Sequence, residues 1–209
     1  WTFYDELGFG RKPQTGFPGE ASGKLRPHKN WRPIEQATMS FGHGISLSLM
    51  QLARGYTIFT HDGQLLPISF LKQTVPLPGR QVISAETARK MREMLLTVTQ
   101  PGGTAVRAQV LGYSVGGKTG TARKLENGVY NRDKHIASFV GFAPAHQPRL
   151  IIAVMIDEPT EGSYYGGLVA GPVFSRVMAG SLRILGVEPD QPHQNSIIPT
   201  DAPEIREET

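Results

Sequence analysis

Residues 112–124 read GYSVGGKTGTARK, and the chemistry they offer depends on what the chain does after the lysine. Gly112 to Thr119 fits the spacing G-x-x-x-x-G-K-T, in which backbone N–H groups and a lysine surround nucleotide phosphates. Lys118-Thr119-Gly120-Thr121 fits a different use. On an exposed strand, an ammonium and two hydroxyls beside backbone donors would line a cleft and suit a carboxylate. Gly120 has no Cβ, so an extended ligand can lie against the strand and hydrogen-bond as an added strand would. An outward N–H at Thr121 would be placed to hold a developing oxyanion, a donor typically worth ~10²–10³-fold in rate.

The phosphate-loop reading has one further support. Ile151 to Asp157 reads as an apolar strand ending in aspartate, the usual Mg²⁺-holding partner of such a loop. The loop works, however, only if a helix begins near Lys118 and points its N-terminus at the phosphates. Gly120 falls in that would-be first turn, Thr119 and Thr121 are poor helix formers, and Asn127-Gly128 ends the segment. Too few β-α units follow to complete a nucleotide fold. A strand is therefore expected at Lys118, and nucleotide binding is kept only as a remote alternative.

Other polar groups offer less. The six histidines (His28, His43, His61, His135, His146 and His193) show no metal-ligand spacing. His135 stands out because it precedes the strand expected to pair with Lys118 and so borders the cleft. Asp157 and Glu158 follow a strand end; they are an acid pair or, more ordinarily, two solvated carboxylates. The chain has no cysteine, which excludes disulfides, a thiol nucleophile and cysteine-ligated zinc. The net charge of +4 is mild, and the densest basic run, Lys24 to Arg32, has no continuation elsewhere; it reads as a solvated loop and no nucleic-acid partner is expected. No apolar run approaches the ~18 residues needed to span a bilayer.

The elements that must position these residues are legible in outline. Trp1 to Gly8 resembles the end of an amphipathic helix entered part-way, so the chain is expected to be a piece of something longer. Pro13, Pro18, Pro27 and Pro33 interleave with Gly16, Gly19 and Gly23, predicting a long loop from Arg11 to Pro33. Ser48-Leu-Met-Gln51 is a capping box, and Leu49, Leu52, Ala53, Tyr56 and Phe59 predict a helix running to about His61-Asp62-Gly63. Leu65 to Val75, broken by Pro67, reads as strand or loop. Ser84 caps a helix with a stripe of Ala88, Met91, Leu95 and Val98.

Tyr113–Lys124 and Val129–Ala143 are expected strands joined by an Asn-Gly hairpin, and Leu150–Ile156 is a third. Strands apolar on both faces call for helical cover on both sides. The last helix is expected from Pro172 to Gly186. The fold class is therefore α+β. Residues 1–104 are mainly helical and loop-rich, 105–187 are a β-meander with a C-terminal helix, and 188–209 are a flexible tail.

Five stretches in order add a resemblance: Met39 to Ala53 (MSFGHGISLSLMQLA), Pro101 to Thr104 (PGGT), Gly117 to Ala122 (GKTGTA), Phe139 to Pro144 (FVGFAP) and Tyr164 to Phe174 (YYGGLVAGPVF). Together they resemble the C-terminal part of the transpeptidase domain of class B penicillin-binding proteins, in particular the division-specific peptidoglycan transpeptidases, over about residues 1–190. The resemblance implies a penicilloyl-serine transferase fold, an antiparallel sheet covered by helices with a helical subdomain. It implies acylation of an active-site serine by the D-Ala-D-Ala stem peptide, transfer to a neighbouring amine, and trapping by β-lactams. No cofactor is implied. Lys118, Thr119 and Gly120 would be the third family motif. Thr121 would supply the oxyanion N–H and, with Thr119, bind the substrate carboxylate. Tyr164, Tyr165 and Gly166 would form an apolar wall for ligand side groups, where paired tyrosines otherwise mean packing.

The family's two earlier motifs are not met. No Ser-x-Asn occurs, and the one Ser-x-x-Lys, Ser69-Phe-Leu-Lys72, lies between Pro67 and Pro76 where no helix is signalled and follows the Ser48 helix instead of preceding it. The nucleophile is expected on an N-terminal remainder of the same protein, with this chain inactive alone. The resemblance also implies membrane-protein partners of the division machinery and an N-terminal anchor, placing the enzyme at the periplasmic face of the bacterial inner membrane. A non-catalytic β-lactam-sensing or scaffold relative is the alternative, distinguished by whether an upstream Ser-x-x-Lys exists.

Overall fold

The computed structural model describes residues 1–126 and 128–191, and the chain forms two units, Trp1–Ala88 and Arg89–Thr209. The first unit holds α1 (Thr2–Glu6), α2 (Pro33–Met39), α3 (Leu49–Gly55), α4 (Thr57–Thr60) and a two-residue ladder of β1 (Gln64–Leu65) with β2 (Arg80–Gln81). Its core gathers Leu7, Phe9, Ile58 and Leu65. The capping box at Ser48 forms as expected: Gln51 N donates to Ser48 Oγ at 3.2 Å and Ser48 N to Gln51 Oε1 at 2.8 Å. Gln51 is also buried, and its Nε2 donates to the carbonyls of Arg11 (2.8 Å) and Ser22 (2.9 Å). The Pro- and Gly-rich segment is thus pinned to α3 by side-chain hydrogen bonds.

Two helical details differ from the sequence reading. The helix from Ser48 divides at Tyr56 into α3 and α4. The Thr57 hydroxyl explains the turn, since it donates to Arg54 O (2.7 Å) and accepts from Leu66 N (3.0 Å), diverting the chain toward β1. Helix α2 has no Ser or Thr cap to signal it; it starts at Pro33, with the Glu35 carboxylate accepting from Arg32 N at 2.7 Å. Arg26 of the basic run pairs with the same Glu35 at 2.8 Å, so that run is partly folded onto its own neighbour.

In the second unit, α5 (Ala85–Thr97) begins at Ser84, whose Oγ accepts from Thr87 N at 3.0 Å; the boundary between the units falls within this helix. A 3₁₀ turn at Val106–Ala108 leads to β3 (Gly116–Glu126), β4 (Val129–Ala143) and β5 (Leu150–Asp157), an antiparallel sheet of order β3-β4-β5. Helix α6 (Gly166–Ile184) lies across one face of the sheet. Phe174, Met178 and Leu182 are fully buried there, and Phe174 meets Phe139 edge-on at 4.8 Å.

Helix α6 starts six residues before the expected Pro172, which sits inside it and forgoes the bond to the Leu168 carbonyl. Its early start rests on Gly166 and Gly167. A Cβ at either would press on backbone of the sheet or of the turn at Thr104, so only glycine lets the helix come this close. At the C-terminal side, Asp190 accepts from Ser114 N at 2.7 Å and from the Ser114 hydroxyl, while Tyr113 Oη donates to Val187 O at 2.6 Å. Residues 192–209 of the expected tail, His193 among them, and Asn127 lie outside the described residues. Among the described residues no helix is long and apolar enough to cross a membrane.

Candidate active site

The stretch after Gly112 is a strand. Residues 116–126 are extended, no helix starts at Lys118, and the phosphate-loop reading falls with it. Asp157, its supposed metal-holding partner, instead accepts a hydrogen bond from Lys124 Nζ at 2.8 Å. Ser69 does not open a helix either. It lies in irregular chain, its Oγ donating to Leu71 O (2.9 Å) and accepting from Leu71 N (3.1 Å) and Gln73 Nε2 (2.7 Å).

Lys118 to Thr121 occupy the edge strand of the sheet, where alternate backbone groups face away from β4. A strand alternates faces, so Lys118 and Gly120 start on one side and Thr119 and Thr121 on the other. The edge position removes this obstacle. The Lys118 side chain folds around the strand, its Nζ donating to Thr119 O at 3.0 Å and lying 3.4 Å from Thr119 Oγ1. Ammonium and hydroxyl therefore converge although their Cβ atoms diverge.

Each threonine is set by a neighbour. Thr119 is buried, and its Oγ1 lies 3.3 Å from Thr104 Oγ1 in the Pro101–Thr104 turn. Thr121 Oγ1 accepts from Gly166 N at 3.0 Å. That N–H is one of the donors that a helix start leaves unpaired, so Thr121 caps α6 and sits beside its positive end. Gly166 is packed on the same strand: a Cβ there would lie 2.7 Å from the Gly120 carbonyl oxygen and press on Ser138 O.

Ser138 is a residue that the sequence reading missed. It stands opposite Gly120, donates to Gly120 O at 3.2 Å, and its Oγ would be 2.5 Å from a Cβ at position 120. Gly120 is thus required from inside the sheet, independently of any ligand. Only the register could have revealed this, and the register slips. Near the turn Glu126 pairs with Val129, yet beyond an irregularity between Arg123 and Leu125 the pairs are Arg123 with His135 and Gly120 with Ser138. A regular ladder from the Asn-Gly turn would have put His135 opposite Gly120. The extra residues of β4 push it to the end of the motif.

There His135 stacks on Tyr164, centroids 3.9 Å apart and planes 13° apart, and Tyr164 leans on Tyr165 at 4.6 Å. Arg123, Arg132 and His135 line an open cleft of about 300 Å³ with Tyr164 and residues 159–163. The two acids at the end of β5, Asp157 and Glu158, share one cation instead of standing free or pairing with each other. Lys124 Nζ reaches Asp157 at 2.8 Å and Glu158 at 2.6 Å, and these two partners hold its ammonium charged well above the ordinary lysine range. Lys134 pairs with Glu126 at 2.6 Å, and that bond, joined by one from Asn131, holds the Glu126 carboxyl below its ordinary value. No cluster of His, Asp or Glu suited to a metal occurs among the described residues.

The chain that carries this edge strand matches known proteins over most of its length. Residues 2–179 fit the family model described as the penicillin binding protein transpeptidase domain. The chain is 58% identical over 196 residues to a probable peptidoglycan D,D-transpeptidase PenA of Neisseria flavescens, covering 94% of this chain and 49% of that protein. It is 40% identical over 187 residues to the peptidoglycan D,D-transpeptidase FtsI of Escherichia coli, covering 90% of this chain and 32% of that protein.

Among solved structures, the apo TP domain of Burkholderia pseudomallei penicillin-binding protein 3 superposes with a TM-score of 0.87 at 52% identity, over 92% of this chain and 59% of that one. The chain thus spans about a third to a half of the length of the curated relatives it matches. With the motif stretches in order, the edge-strand geometry and a family match over most of its length, the chain belongs to the penicillin-binding protein transpeptidase family and has its penicilloyl-serine transferase fold.

Proposed function

We propose that the protein containing this chain is a serine-type peptidoglycan D,D-transpeptidase that cross-links stem peptides during septal wall synthesis and is acylated by β-lactams. The observation that carries this reading is the convergence of Lys118 Nζ on Thr119, with Thr121 held by the start of α6, along the edge strand of the sheet. The names of relatives agree with it. The donor peptide lies along β3 as an added strand, its terminal carboxylate met by Thr119, Thr121 and the Lys118 charge. The serine attacks the penultimate D-alanine carbonyl, the oxyanion is held by Thr121 N–H, D-alanine leaves, and an acceptor amine then displaces the serine. Tyr164, Tyr165 and Gly166 wall the ligand's side groups, and Gly120 keeps the strand approachable.

The serine and its Ser-x-x-Lys and Ser-x-Asn partners belong to an N-terminal remainder of the same protein, and division-machinery membrane proteins are its partners at the periplasmic face of the inner membrane. The test is acylation of the complete protein by a fluorescent penicillin. Lys118→Ala slows it by ~10²-fold or more, as loss of an electrostatic stabiliser should. An unchanged rate overturns the assignment.

A further inference from the structure

The loop of residues 158–165 carries Tyr164 and Tyr165 to the site, and its two ends are fastened differently. At its far end, Gly166 N donates to Thr121 Oγ1, and Tyr164 stacks on His135. At its near end the chain leaves β5 through Glu158, a non-glycine residue at φ +51°, whose N–H donates to His135 O at 2.9 Å. Such a conformation persists only where its surroundings enforce it. That backbone bond continues the β4–β5 ladder past Ile136 and Asp157, but the β3–β4 ladder adds nothing, because the irregularity between Arg123 and Leu125 interrupts it there. Lys124, the residue at the interruption, adds side-chain ties. Its Nζ reaches both Asp157 Oδ2 and Glu158 Oε1, and Lys134 adds a longer contact of 3.7 Å to Glu158. The same strand thus bears Thr121, which caps α6, and three residues on a lysine that ties down the start of the loop.

Between the two ties, residues 159–163 turn through Gly162 at φ +72° with only local bonds, Ser163 N to Glu161 O and Tyr165 N to Ser163 Oγ. We infer that Lys124 is a positioning residue: its bridge to Asp157 and Glu158 fixes the loop that holds Tyr164 against His135, and so sets how tightly the site captures its ligand. This rests on the proposed acyl-transfer function. Because Lys118 and Thr121 are untouched by loss of Lys124, capture and chemistry separate. Loosening the loop weakens the first encounter complex, while acylation within that complex proceeds at its former rate.

The experiment resolves the dissociation constant of the non-covalent complex and the acylation rate constant for a fluorescent penicillin on the complete protein, comparing wild type with Lys124→Met, Lys124→Arg and Glu158→Gln. Lys124→Met and Glu158→Gln are expected to raise the dissociation constant roughly 5- to 10-fold, the loss of a small ion network, with the acylation constant changed less than about 2-fold. Lys124→Arg restores capture. Raising salt weakens capture by wild type more than by Lys124→Met. If Lys124→Met fails to fold, Glu158→Gln and the wild-type salt series decide the question in its place. Unchanged capture in the variants, a loss confined to the acylation constant, or no rescue by arginine overturns the inference alone. A wild-type protein that is not acylated overturns the proposed function and this inference with it.

Discussion

Lys118 illustrates why residue type and position must be taken together. Strand alternation would send its side chain away from both threonines, and only an edge strand lets four methylenes bend round the backbone to Thr119. A further strand of the protein paired on that edge would close it to ligand. Gly120 depends on its partner just as closely, since Ser138 Oγ occupies the place of a Cβ. Gly120→Ala is therefore expected to slow penicillin acylation by the complete protein, whereas Gly120→Ala with Ser138→Ala recovers part of the rate; equal rates in the single and double variants would contradict the packing account. The lysine, threonines and glycine were legible in the sequence as a motif. Ser138 was not, because its role depends on a register that the extra residues of β4 between Tyr130 and His135 displace.

At the scale of elements, the hairpin and α6 decide where the motif points. The Asn-Gly signal located the turn, but not the irregularity that moves His135 from opposite Gly120 to opposite Arg123 and brings it to Tyr164. Turn chemistry is local, whereas an irregularity is set by what the bulged residues bind, here Asn131 and Lys134 on Glu126. Since the folded-state Glu126 carboxyl is held below its ordinary value of 4.5, this tie is complete above that value and is lost as pH falls below it. Protection factors of amides in residues 125–134 should be flat from about pH 7 to 5 and then fall; a fall on raising pH instead would contradict the sign.

Helix α6 is located by Pro172 and Gly186, but its start is expected too late, because proline is a weaker marker than the contact made by Gly166 and Gly167 with the sheet and turn. The helix is held by Phe174 against Phe139, both essentially unexposed. Phe174→Ala should cost ~3–5 kcal/mol in denaturant unfolding of the complete protein, and a loss below about 1 kcal/mol would show that the sheet–helix core lies elsewhere.

For the molecule as a whole, the fold class was legible because the sequence is locally consistent: caps at Ser48 and Ser84, a hairpin turn, and apolar strands in one succession. The family was legible only through the resemblance of the five motif stretches. The division into two units within α5 was not, since a helix running through a boundary carries no local signal. In the proposed function β3 is one wall of an acylation site completed by a serine outside this chain. The most direct test is penicilloyl-adduct formation, read by intact-protein mass, on the complete protein, on its Lys118→Ala variant and on the 209-residue chain alone. The proposed function predicts a stoichiometric adduct on the complete protein, an adduct forming ~10²-fold more slowly or worse on the variant, and none on the chain alone. An adduct that forms as fast on the Lys118→Ala variant as on wild type, or a stable one on Ser69 of the isolated chain, would contradict it.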